Sequence, residues 1–194
     1  MAKGRLGTVV KVGSVDEFDE IEFQAARTGN NTRAAVRMDE LAKKADVGYR
    51  AEAYLRAGEQ WMMAGDAQRA ADDFRTAIDD DGQTSADARV YLARALCDLG
   101  EEAEAEGLLA ALTAERDSVT PRTCDIVAEF LTERGDLEGA LEWATAGVEQ
   151  SIQRGDDVEL RLLLRLRYRI RVDLGLDEDD YDKMLDGASD GSST

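Results

Sequence analysis

Carboxylates are the only abundant side chains in this sequence that could serve as acids, bases or ion ligands. The chain has 42 Asp and Glu residues against 24 Lys and Arg residues, a formal net charge of −18, and no histidine. Histidine is the side chain best suited to acid–base catalysis near pH 7 and is also the commonest metal ligand. Its absence excludes serine triads and ordinary zinc hydrolysis. An enzyme using carboxylates alone would need two acids in a dry pocket with separated pKa values, and no such pair stands out.

Two carboxylate patterns resemble functional sites without meeting their requirements. Glu129 and Glu133 lie one helical turn apart, which in so acidic a chain is typical of a solvated helix surface. The stretch 79–82 resembles a calcium loop, but an EF-hand needs an acid five residues before its glycine and a Glu six residues after it. Those positions hold Ala77 and Ala88. With no phosphate-binding Gly-Lys-Ser/Thr loop either, we expect a protein that is not an enzyme and needs no metal or other cofactor.

Glycine recurs at a fixed interval in the middle of the chain. Gly65, Gly100 and Gly135 are each 35 residues apart. Apolar and small residues at steps of three and four precede and follow each glycine, which predicts a helix on both sides. Glycine readily adopts the left-handed conformation that ends a helix. The repeated unit is therefore a helix, a tight turn and a second helix, and such a period indicates stacked copies of one unit.

The clearest copy lies in 51–82 and resembles the tetratricopeptide repeat family. Small and aromatic residues occupy positions typical of that family: Tyr54, Gly58, Trp61, Gly65, Ala70, Phe74 and Ala77. The next two copies keep the glycine and small residues but replace aromatics with leucines such as Leu92 and Leu109. The proline that usually ends the unit is missing. The only proline, Pro121, follows Thr120 and predicts the start of a helix.

The resemblance implies an all-α fold, a right-handed solenoid of about four to five helix-turn-helix hairpins. The repeats are clear over about 51–153 and weaker over 15–49 and 157–186. We expect a single domain over 15–186, with a flexible arm at 1–14 and a flexible tail at 187–194. From Leu164 to Leu174 the apolar residues fit both a strand and a helix, and the context favours a helix.

Charge and hydropathy limit the expected partners and location. A net charge of −18 repels a phosphate backbone, so we expect no nucleic acid partner. No apolar run approaches the ~18 residues of a membrane span and no secretion signal is evident, so we expect a cytoplasmic protein without a membrane partner. Cys97 and Cys124 are expected to be reduced. Genome composition or adaptation to salt explains the excess of acidic residues more simply than a specific function does.

The resemblance implies a function in protein binding, because the first helices of such repeats line a concave groove. We expect a non-catalytic scaffold that binds a peptide or protein segment there. Apolar members of the groove would hold partner side chains and acidic members would attract basic segments. The alternative is that each position is an ordinary solvated one. The candidate groove residues are Leu55, Glu59, Met62, Val90, Arg94, Asp125 and Glu129.

Arginines are concentrated in one segment, 161–171. The candidate basic patch is Arg161, Arg165 and Arg169. The five arginines of the segment 161–171 could bind an acidic peptide, but the acidic stretch 177–186 follows directly and, being tethered, is their favoured partner. A further alternative is a structural homodimer with no separate peptide ligand, formed through a surface marked by Trp143, Leu163 and Tyr168.

Overall fold

The computed structural model describes residues 15–80 and 82–187. Among these residues the regular secondary structure is entirely α-helical, and turns and short loops connect the helices. This confirms the all-α prediction. The predicted arm 1–14 and all but the first residue of the predicted tail 187–194 lie outside the described residues. The ten helices are α1 Val15–Thr28, α2 Asn31–Ala42, α3 Val47–Met63, α4 Ala67–Asp79, α5 Ala88–Leu99, α6 Glu102–Ala114, α7 Pro121–Glu133, α8 Leu137–Arg154, α9 Asp157–Asp173 and α10 Asp180–Gly187.

The predicted glycine turns join successive helices. Gly65 has φ +79°, and the Asp66 amide donates to the Trp61 carbonyl at 2.9 Å, which closes α3. Asp66 then begins α4, because its carboxylate accepts a hydrogen bond from the Arg69 amide at 3.2 Å. Gly100 and Gly135 end their helices with the same positive φ. The glycine thus ends one helix, and an acidic residue directly after it can cap the start of the next.

The first compact unit extends to Thr84 and contains α1 to α4. In it α2 packs against α1 and α3, and α3 packs against α4. Phe18 and Met38 are fully buried in its core. Gly58 allows the close crossing of α3 and α4, since a Cβ added there would lie 2.4 Å from Phe74 Cε1.

The second compact unit begins at Ser85 and contains α5 to α10. Helix α7 packs against α5, α8 and α9, and α10 packs against α9. Val148, Leu163 and Leu164 form a small buried cluster that Tyr181 and Leu185 of α10 partly cover. Each unit is compact by itself, and the single domain over 15–186 stays a prediction.

Several local predictions are confirmed. The segment with ambiguous apolar spacing is helical up to Asp173, where α9 ends, and Leu174 is the C-cap residue. Thr120 begins α7, with Pro121 at its first turn and the Thr120 hydroxyl accepting from the Thr123 amide at 3.2 Å. Both cysteines are free thiols, and Cys124 is buried. Within the described part of the chain, no helix is long and apolar enough to cross a membrane.

Candidate interaction surfaces

The predicted groove residues of the first unit lie on α3, and one of them is in the core. Glu59 and Met62 are half-buried. Leu55 has no exposed surface, so the prediction that it holds a partner side chain is corrected. The physical reason is that α3 packs against both α2 and α4. Two neighbouring helices bury more of the surface of α3 than a single apolar stripe would.

The same correction applies to α5 in the second unit. Val90 is fully buried because α5 packs against both α6 and α7. Arg94 is half-buried, and its Nη2 atom donates to Glu133 Oε2 on α7 at 2.6 Å. Its guanidinium also lies over the Phe130 ring. Arg94 is thus engaged in linking α5 to α7.

Asp125 is the most unusual of the predicted groove residues, because it is a carboxylate that is only 5% exposed. Its Oδ2 atom accepts a hydrogen bond from Arg122 Nη1 at 2.9 Å. Burial, reinforced by the negative charge of Glu129, raises the pKa of Asp125 to about 6. The Arg122 guanidinium opposes this shift without cancelling it. Glu129 itself is exposed.

Glu159 of α9 contributes a further carboxylate to the electrostatic environment of Asp125. Burial raises the pKa of Glu159, and its Oε2 atom is buried without a hydrogen-bond partner among the described residues. Arg122 is the cation that acts on both acids. We call Arg122, Asp125, Glu129 and Glu159 the acidic surface.

Two arginines of α9 are neutralised from within the chain. Arg167 Nη2 lies 2.5 Å from Asp179 Oδ2, and Arg171 Nε lies 2.9 Å from Asp182 Oδ2. The Arg167 guanidinium lowers the pKa of Asp179 to about 2. The predicted pairing with the following acidic stretch therefore holds for these two arginines.

The three arginines of the candidate basic patch behave differently. Arg161, Arg165 and Arg169 are exposed, and none of them forms an ion pair with another described residue. They lie on the side of α9 turned away from the core.

Two of the three residues expected to mark a homodimer surface are in the core. Trp143 is 3% exposed and Leu163 is fully buried. The prediction that they form a dimer surface is therefore corrected, and only Tyr168 is exposed.

Sequence reasoning missed two members of the acidic surface. Arg122 precedes Asp125 by three residues, a spacing that places both on one helix face and could have revealed it. Glu159 has no such signal, since it belongs to α9 and approaches α7 only through tertiary packing. Among residues 15–80 and 82–187, no group of three or more acidic or thiol side chains is placed to hold a metal ion.

Helical hairpins closed by glycine turns define an α-helical repeat protein, and comparison with known families identifies the repeat. The model of the tetratricopeptide repeat family matches residues 62–122. This match supports the tetratricopeptide repeat that the sequence pattern implies. None of the curated proteins matches the chain significantly. Repeats of this family generally mediate protein–protein interaction.

Proposed function

We propose that this chain is a non-catalytic interaction module that binds a basic segment of another protein at the acidic surface. The observation that supports this most is the excess of negative charge around a buried carboxylate. Asp125 is almost inaccessible, yet Glu129 and Glu159 both act on it and a single guanidinium, that of Arg122, partly offsets them. A surface with this imbalance favours an added cation.

A lysine or arginine of the partner supplies what the acidic surface lacks. Glu129 is exposed and offers its carboxylate directly, while the buried Asp125 and the half-buried Glu159 contribute through their negative charge. Hydrogen bonds to charged groups contribute about 1.5 to 3 kcal/mol each. The bound cation would also lower the raised pKa values of Asp125 and Glu159, because an opposite charge favours the ionised form.

The first unit offers two further proposed contacts on α3. Glu59 and Met62 are each half-buried, so each keeps part of its side chain accessible. Methionine adapts its shape to different apolar side chains, and a glutamate attracts basic ones. Their contribution is tested separately by Glu59→Lys.

Direct binding of short peptides tests this function. The probe is a set of synthetic peptides of equal length that are rich in lysine and arginine, neutral, or rich in glutamate. We expect the protein to bind the basic peptides, and Glu129→Lys to weaken that binding roughly tenfold, equivalent to about 1.4 kcal/mol. High salt should weaken it further, because exposed charges are screened.

A matched variant separates local charge from net charge. Glu106 is an exposed glutamate on α6 of the same unit, so Glu106→Lys makes the same change of charge elsewhere. We expect this variant to bind like the wild type. Equal binding of basic and neutral peptides, or equal losses in both variants, would remove the acidic surface as the binding site.

A further inference from the structure

One side of α9 is turned to solvent along the whole length of the helix. The residues on it follow one another at steps of three or four, so they form a continuous stripe. We call this stripe the outer face of α9. Its members are Val158, Arg161, Leu162, Arg165, Tyr168, Arg169 and Val172, and all seven are exposed.

The apolar content of the outer face is unusual for a solvated surface. Val158 is 61% exposed and Val172 is 56% exposed, and Leu162 and Tyr168 are also open to solvent. Single exposed apolar residues are common, but four of them on one helix face together with three arginines match the composition of protein–protein interfaces, which are enriched in aromatic residues and arginine. Helix α10 does not cover it, since Tyr181 and Leu185 pack instead against the buried cluster at Leu163 and Leu164.

The charge of the outer face is equally distinct from the rest of the chain. Arg161, Arg165 and Arg169 are spaced four residues apart, which places them about 6 Å from one another along the helix axis. Within the described residues none of the three has an ion-pair partner, whereas Arg167 and Arg171 are held by Asp179 and Asp182. The described acids Asp179 and Asp182 thus pair with Arg167 and Arg171 and leave the outer three arginines exposed.

We propose that the outer face of α9 is a docking surface for an acidic amphipathic helix of a partner protein. Apolar side chains of that helix pack on Val158, Leu162, Tyr168 and Val172. Carboxylates at a four-residue spacing meet the three arginines, whose planar guanidinium groups suit paired hydrogen bonds to carboxylates. The proposal is independent of the acidic surface, because Glu159 lies about 100° around the helix from Val158.

A second copy of this chain fits the outer face poorly. Arg165 is the central residue of α9 (Asp157–Asp173). In an antiparallel pair centred there, Arg161 faces Arg169 and Asp157 faces Asp173. Each of these contacts juxtaposes like charges, which disfavours association.

An anionic membrane fits it less well than a helix does. Helices that lie in a membrane interface separate an apolar side from a strongly charged side. On α9 the arginines and the apolar residues are interleaved on the same face instead. A partner helix that alternates carboxylates and apolar side chains matches this arrangement, and a lipid surface does not.

The test uses a synthetic helical peptide with a leucine stripe and glutamates every four residues, together with a scrambled peptide of the same composition. Fluorescence anisotropy with the full chain measures the affinity of each. We expect the designed peptide to bind at least about tenfold more tightly than the scrambled one. We expect the variant carrying Arg161→Glu, Arg165→Glu and Arg169→Glu to lose that preference and to bind a peptide with lysines in place of the glutamates.

The control variant carries Arg27→Glu, Arg33→Glu and Arg37→Glu, which change three exposed arginines of the first unit by the same total charge. It should bind the designed peptide like the wild type. A second variant, Leu162→Ser with Val172→Ser, tests the apolar part and should also weaken binding. Circular dichroism melts verify that each variant is folded.

Three results would overturn the proposal. Equal affinity for the designed and scrambled peptides would show that binding to the outer face depends on the composition of the peptide and not on the helical arrangement of its side chains. Cosedimentation with phosphatidylserine vesicles that is lost in the triple-arginine variant would assign the face to a membrane. A doubled mass in sedimentation equilibrium that returns to the monomer value in the Leu162→Ser, Val172→Ser variant would assign it to self-association.

Discussion

Arg167 of α9 and Asp182 of α10 form an ion pair in which both side chains are buried. Arg167 Nη1 lies 3.2 Å from Asp182 Oδ1, and the two side chains are only 5% and 4% exposed. Arg171 donates to the other oxygen of the same carboxylate at 2.9 Å. Asp182 therefore connects α10 to two arginines of α9, and the C-terminal acids contribute to the fold of the second unit.

Replacing Asp182 by alanine should destabilise the second unit. The change leaves the Arg167 guanidinium buried with Asp179 alone, and removing one partner of a buried pair costs about 3 kcal/mol. Urea unfolding followed by circular dichroism measures the loss. Asp180→Ala is the matched control, because the Asp180 side chain is 98% exposed and its ion pair is with the exposed Lys183. Equal losses in both variants would show that Asp182 has no special structural role.

Gly58→Ala should destabilise the first unit, although alanine normally stabilises a helix relative to glycine. The added Cβ would lie 2.4 Å from Phe74 Cε1, and overpacking of this kind costs about 1 to 3 kcal/mol. Gly107→Ala in α6 is the control, since nothing lies within 4 Å of its added Cβ. That variant should gain roughly 0.5 to 1 kcal/mol. Adding Phe74→Leu to Gly58→Ala should recover part of the loss, and a stabilised Gly58→Ala protein would contradict the close crossing.

The hairpins were predictable from the sequence because their determinants are local. Gly65, Gly100 and Gly135 end helices through their own backbone conformation, and Pro121 begins one for the same kind of reason. The helical assignment of 164–173 needed context, since its apolar spacing also fits a strand. A repeating pattern settles such cases because every copy must bury its face against its neighbours.

The binding surface was less predictable because burial depends on packing between helices. The positions of Leu55 and Val90 around their helices predict that both face a groove, yet α3 and α5 each pack on two neighbouring helices and bury them. Glu159 lies 34 residues after Asp125 in the sequence, so only the packing of α9 on α7 relates them. Packing also decides which arginines of α9 form ion pairs, because α10 lies against the side that carries Arg167 and Arg171.

Asp73 should make the first unit more stable at acidic than at alkaline pH. Burial and the adjacent Asp39 carboxylate raise the pKa of Asp73 to about 8. Between about pH 4 and about pH 8 the folded state therefore binds more protons than the unfolded state, so the free energy of unfolding falls as pH rises. Asp73→Asn removes this titration and should stabilise the protein by about 1 to 2 kcal/mol above pH 8.

Urea unfolding of the wild type and Asp73→Asn at about pH 5 and about pH 9 checks the sign. The difference between the two proteins is informative because titratable groups far from Asp73 contribute equally to both. It should be small at the lower pH and should favour the asparagine variant at the higher one. A difference that does not change with pH would show that Asp73 is ionised throughout.

Asp125 should make binding of a basic peptide depend on pH if the acidic surface is the site. Its pKa is raised to about 6, so it loses its charge as the pH falls through that value. A cation binds the ionised form more tightly, and protons therefore compete with the peptide. We expect affinity to fall several-fold between about pH 7.5 and about pH 5 when the peptide has an acetylated N-terminus and an amidated C-terminus and carries lysine and arginine but no histidine, since its own charge then stays constant.

The variant Asp125→Asn should bind more weakly at neutral pH and should show a flatter pH dependence, because asparagine keeps a similar shape and an oxygen for Arg122 but does not titrate. Asp98→Asn, at an exposed position of α5, is the control and should retain the wild-type profile. Isothermal titration calorimetry across the pH series compares the three proteins. An unchanged slope in Asp125→Asn would place the pH-sensitive group elsewhere and would leave Glu129 and Glu159 as the carboxylates to vary next, since burial also raises the pKa of Glu159.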